Sequence, residues 1–165
     1  MTRPAFLRKL PIIAAVLTGI GIMMNILLVL NPHIAAVLLG YGSVKELMGT
    51  KLSSATEGFM LAQAAVPAVL LILCVINCFS DKINKGKSLL MLIAAPSAYI
   101  VISLLSTFIY TLALKSGVSE GINTMSILSS ITSARSVLAY LYTFSLLILM
   151  CAASVEYYIA KTNDK

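Results

Sequence analysis

The sequence predicts an all-α integral membrane protein: a four-transmembrane-helix bundle made of two hairpins, with short interfacial helices in the outer loops. Composition is the first reason. Of 165 residues, 59% are hydrophobic and 11% charged, with a mean hydropathy of +0.98, whereas a soluble domain carries about 25% charged residues. Four apolar stretches are the second, each long enough to cross a bilayer core, which takes roughly 20 residues of helix. The third is that these stretches hold almost no charge: Glu156, in the last of them, is the exception. So little charge cannot clothe a water-facing surface, which excludes a soluble enzyme, a disordered tail and a disulfide scaffold.

The elements follow in order within a single membrane domain, residues 1–165. Each span is expected to be α-helical, because backbone groups in lipid must be satisfied within their own segment. The first span is 11–30, opened by Pro11 behind Arg3, Arg8 and Lys9. That beginning imitates a secretory signal, but the apolar run exceeds the roughly 7–15 residues of a signal core and no clear cleavage site follows, so an uncleaved helix is expected. Asn31 and Pro32 close it. The outer loop 31–57 holds an apolar stretch, Ile34 to Val44, too short to span and suited to an interfacial or re-entrant segment. Ser43 to Glu46 and Ser54 to Glu57 each have the spacing of a capping box, in which a hydroxyl and a carboxylate satisfy each other's helix-start amides.

The second span, 58–79, carries Pro67, and the third, 89–114, carries Pro96; both prolines are expected to kink their helices. A basic turn, Ser80 to Lys87, joins the hairpins, with Ser88 placed to cap the third span. The outer loop 115–135 ends in a Ser- and Thr-rich stretch, Gly121 to Arg135, interleaved with Met125, Ile127, Leu128 and Ile131. It either lies on the surface or extends the fourth span, 136–160. An 80-residue displacement matches Ile13-Ala14-Ala15 with Ile93-Ala94-Ala95. Three small or apolar matches arise readily by chance and do not establish a duplication.

Orientation follows from the basic residues beside the spans. The side holding both termini has eight (Arg3, Arg8, Lys9, Lys82, Lys85, Lys87, Lys161 and Lys165) against three acidic residues, net +5. The opposite side has Lys45, Lys51, Lys115 and Arg135 against three acidic residues, net +1. Both termini are therefore expected in the cytoplasm, in a bacterial inner membrane or a plasma membrane. Arg3, Arg8, Lys9, Lys82, Lys85 and Lys87 are candidate inner-face contacts to anionic lipid, so the net +6 calls for no nucleic acid. Tyr157 and Tyr158 mark the inner interface, and Tyr110, Tyr140 and Tyr142 the outer one.

Chemistry is sparse. His33 has no second ligand near it in sequence, so no metal is expected. Cys74 and Cys78 share a helix face at a spacing other than the redox C-x-x-C, and with Cys151 they read as buried packing. Glu156 lies about one turn from the inner end, where it is expected to snorkel to the head groups. No catalytic constellation and no cofactor are expected. Instead Asn25, Gln63, Ser103, Thr107 and Thr143 form a candidate polar layer in the outer half of the membrane, with Ser103, Thr107 and Thr111 on one face of the third helix. Ala15 and Gly19, Ala64 and Ala68, and Ala94 and Ala98 are small pairs suited to close helix packing.

The leading expectation is a non-catalytic multi-pass subunit that assembles with itself or with a larger membrane complex. The alternative is a homo-oligomeric pore or small-solute carrier using the polar layer. A lipid-active membrane enzyme comes third, for want of an acid, base or metal set.

Overall fold

The computed structural model describes residues 2–30, 54–79, 82–119 and 124–163, and their regular structure is helical. The helices are α1 (Ala5–Leu30), α2 (Ser54–Ala65), α3 (Ala68–Cys78), α4 (Lys85–Ser119) and α5 (Thr124–Asn163). Four stretches are long and apolar enough to cross a membrane: Ala5–Leu27, Leu61–Cys78, Lys85–Ala113 and Leu138–Asn163. The expected short helices of the first outer loop, its Ser43 capping box and His33 lie outside the described residues.

The ends differ from expectation where helix chemistry runs past the apolar core. α1 starts at Ala5 rather than Pro11. The Arg8 amide donates to the Pro4 carbonyl at 3.2 Å, so Pro4 opens the helix and Pro11 is absorbed inside it. α4 begins at Lys85, and its cap is Asn84 rather than Ser88. The Asn84 Oδ1 accepts from the Gly86 amide at 2.9 Å, the N-cap device that satisfies a first-turn donor. Ser88 instead sits in the first turn, with its amide on the Asn84 carbonyl at 2.9 Å. α5 starts at Thr124, so most of the expected second outer loop extends the fourth helix. No Gly or Pro occurs from Thr124 to Asn163, and Ile127, Leu128, Ile131 and Leu138 keep helical spacing, so nothing in this stretch stops the helix.

Pro67 does more than kink the second span. Proline lacks the amide that would bond to residue i−4, and its ring crowds that carbonyl. The helix stops at Ala65 and restarts at Ala68, with the Leu70 and Leu71 amides both donating to the Pro67 carbonyl, at 3.0 and 3.2 Å. Pro96, by contrast, lies inside an unbroken α4.

The chain divides into two compact units, the first comprising Met1–Gly19, Pro67–Ile102 and Leu141–Lys165, the second Ile20–Val66 and Ser103–Tyr140. In the first unit, buried positions recur at alternating spacings of three and four. Leu7, Pro11, Ala14 and Thr18 line α1; Leu70, Cys74 and Asn77 line α3; Ser88, Met91 and Ala95 line α4; Leu149, Ala152, Ala153 and Glu156 line α5. Many are small or polar, which lets backbones approach and hydroxyls bond across helices. Many other large apolar side chains turn outward, Phe79 at 83% and Leu90 at 67% exposed among them. In the second unit, Gln63, Ala64, Ala113 and Leu138 are buried, while Leu104, Leu105 and Phe108 are exposed.

Candidate functional site

The first unit buries a charge cluster. Thr2, ahead of α1, forms an isolated antiparallel bridge with Lys82, ahead of α4. That pairing holds the N-terminal segment against the turn between α3 and α4. Thr2 and Pro4 are exposed, but Arg3 between them is 3% exposed. Its guanidinium forms an ion pair with Glu156 of α5, Nε and Nη2 both meeting Oε1. Nη1 donates to the Asn77 backbone carbonyl at 2.7 Å and Nη2 to the Asn77 Oδ1 at 3.1 Å. Ser88 Oγ lies 3.5 Å from Glu156 Oε2 and 3.1 Å from the Asn84 carbonyl, so its single proton is shared between two acceptors.

Helix ends explain why the cluster forms here. Asn77 lies in the last turn of α3, where carbonyls have no intrahelical donor. A cation is favoured at that negative end of the helix dipole, and an anion at the positive end. Arg3 meets the C-terminal turn of α3, while Glu156 faces Ser88 in the first turn of α4. Among the described residues no buried side-chain nitrogen or oxygen lacks a partner. A buried ion pair is tolerated only when its remaining donors and acceptors are met in this way.

Two of the expectations change here. Arg3 is not presented to lipid head groups, and Glu156, 5% exposed, does not snorkel to them. A single carboxylate within an apolar helix needs a partner, and the Arg3 side chain supplies it by folding inward. Of the other candidate lipid contacts, Arg8, Lys9, Lys82 and Lys85 are exposed and Lys87 is half-buried.

The expected polar layer is divided. Thr143 belongs to the first unit; Asn25, Gln63, Ser103 and Thr107 belong to the second. Thr143 Oγ1 and the Tyr99 hydroxyl are 2.8 Å apart, joining α5 to α4. Gln63 is buried and Asn25 half-buried. Ser103 and Thr107 are exposed, the Thr107 hydroxyl donating to the Ser103 carbonyl at 2.9 Å and the Thr111 hydroxyl to the Thr107 carbonyl at 2.8 Å.

Three features escape sequence reasoning. Arg3 and Asn77 join Glu156, and Ser145 donates across to the Ala14 carbonyl of α1 at 3.1 Å as well as to its own Leu141 carbonyl at 2.9 Å. The single carboxylate within an apolar candidate span was the available signal for the first two. Thr18 donates to the same Ala14 carbonyl at 2.9 Å. Cys151 is exposed rather than packed inside. Gly19 departs as well: a Cβ there would meet nothing within 4 Å among the described residues, so it does not mark a close helix approach. Among the described residues no group of three His, Cys, Asp or Glu could hold a metal ion. Comparison with known proteins finds no matching family model, curated protein or solved structure.

Proposed function

We propose that the chain is a multi-pass membrane subunit with both termini in the cytoplasm, working without catalysis by assembling with itself or with a larger membrane partner. Charge on the interior and large apolar side chains outside is the arrangement lipid rewards and water does not. The excess of Arg and Lys beside both termini supports the orientation, with Arg8, Lys9, Lys82 and Lys85 exposed on the side expected to meet anionic lipid.

One observation carries the assembly reading. Ser103, Thr107 and Thr111 form an exposed hydroxyl stripe on α4, flanked by exposed Leu104 and Phe108. Lipid tails gain nothing from hydroxyls, whereas helix–helix interfaces in membranes are enriched in Ser and Thr. The test is native mass spectrometry from nanodiscs, beside a Ser103→Leu/Thr107→Leu variant. The expected particle exceeds the 17.6 kDa chain and loses that extra mass in the variant. A monomer in both refutes the proposal. The same stripe favours the pore or carrier as second reading, and a homo-oligomer whose ion or solute flux falls in the variant moves it ahead.

A further inference from the structure

The cluster around Glu156 has the form of a receptor with its ligand in place. Three oxygen atoms from two helices converge on one planar group: Glu156 Oε1 of α5 and the Asn77 carbonyl and Oδ1 of α3 accept from the Arg3 guanidinium, while Ser88 of α4 stands beside the other carboxylate oxygen, Glu156 Oε2. The fork of a guanidinium matches such a set in a way that a compact ammonium or a bare cation does not. Yet the arginine filling it belongs to no helix. Arg3 precedes α1, and its neighbours Thr2 and Pro4 are exposed, so one side chain enters from a segment lying on the surface. α3 and α5, by contrast, supply the receiving groups, and α4 supplies Ser88 beside the carboxylate, from helices whose buried faces pack the core of the unit.

The geometry points to a guanidinium-binding site formed by Asn77 and Glu156, with Ser88 positioning the carboxylate, for which Arg3 is a tethered, displaceable ligand. Its class of exogenous ligand is a guanidinium group, free or carried on an arginine side chain of another protein. Withdrawing Thr2 and Arg3 gives up the Thr2–Lys82 bridge and exchanges one such group for another, while Pro4, whose carbonyl holds the Arg8 amide, and α1 stay in place. The site would stand whether or not the chain works as an assembling subunit, and its test reads binding rather than assembly.

Chemical rescue tests this. Arg3→Ala, reconstituted in nanodiscs, empties the site while keeping its carboxylate. Millimolar guanidinium chloride should raise the Tm of this variant relative to sodium chloride at equal ionic strength. At tenfold above its Kd the rise is expected to be roughly 3–6 °C. Wild type, with the site filled, and Arg3→Ala/Glu156→Gln, with the carboxylate removed, should show no such rise. If Arg3→Ala folds only when guanidinium is present during extraction, that requirement is the same positive result. Equal responses in Arg3→Ala and the double variant overturn the proposal. So does full rescue by sodium, which would make the site a simple cation hole. An Arg3→Ala protein that stays unfolded in guanidinium while the double variant folds overturns it too.

Discussion

Ser145 in the first unit and Thr107 in the second each place one hydroxyl on a helix long enough to span a membrane. Both turn that hydroxyl back on the carbonyl four residues earlier, Leu141 and Ser103. There the likeness ends. Ser145 is fully buried and also reaches the Ala14 carbonyl of another helix, whereas Thr107 is exposed and bonded along its own helix. A hydroxyl already bonded to its own backbone adds little to the stability of the single chain and remains able to pack against a second helix. A charge carries a large demand, which no single helix can meet. The first unit holds Glu156, whose cluster is matched between helices; in the second unit the Thr107 and Thr111 hydroxyls each donate to a carbonyl four residues earlier on their own helix. Polarity alone therefore says little about which side chains organise a membrane fold, and the size of the unmet demand says more.

The largest effect should come from unbalancing that demand. Glu156→Ala leaves the Arg3 guanidinium buried without its carboxylate, and removing one partner of a buried pair costs about 3–5 kcal/mol. Arg3→Met/Glu156→Leu removes both charges and should be far less destabilised than Glu156→Ala alone, since apolar replacement of a whole buried pair is often neutral. Thr107→Val in the second unit is the contrast, with a cost near zero in the isolated chain. Denaturant titration of the three variants in mixed micelles checks the order. If Glu156→Ala and Thr107→Val were equally mild, the distinction between the two units would collapse.

That distinction was only partly legible in the sequence. The four apolar helices stand where composition and length placed them, because a run of apolar residues states its own requirement. Their ends were less legible: Asn84 rather than Ser88 caps α4, and α5 runs back to Thr124, since nothing helix-breaking separates the Ser- and Thr-rich stretch from the span. The cluster was half visible. Glu156 alone in a span announced a need for a partner, but eight basic residues shared its side, and choosing Arg3 required knowing that Thr2 pairs with Lys82. Asn77 gave no separate signal, because its backbone carbonyl matters as much as its side chain and helix ends are set by folding.

A smaller effect probes the hydrogen bonds between helices within the first unit. Ser145→Ala removes the link to Ala14, and Tyr99→Phe removes the link to Thr143. Such bonds average about 0.6 kcal/mol and reach about 1.7 in membrane proteins, so each variant should lose an amount in that range. A double-mutant cycle of Tyr99→Phe with Thr143→Val isolates the pair. A coupling indistinguishable from zero would mean that these hydroxyls are as self-sufficient as Thr107, leaving the charge cluster alone to set the first unit apart.

Gly19 gives the smallest effect and separates packing within one chain from packing between chains. Paired with Ala15, it has the small-xxx-small spacing of a close helix contact, yet a Cβ at Gly19 would meet nothing within 4 Å among the described residues. The buried face of α1 runs instead through Ala14 and Thr18. Within a single chain Gly19→Ala therefore fills open space and lowers the conformational entropy of the unfolded helix, and it should be neutral or stabilising by up to about 1 kcal/mol. Thermal unfolding measured alongside particle mass reads both consequences. A stable monomer unit with unchanged assembly would show α1 facing lipid at Gly19. Reduced assembly with undiminished chain stability would instead give the Ala15–Gly19 face a neighbouring helix, and the interface would then have to include α1 as well as the hydroxyl stripe of α4.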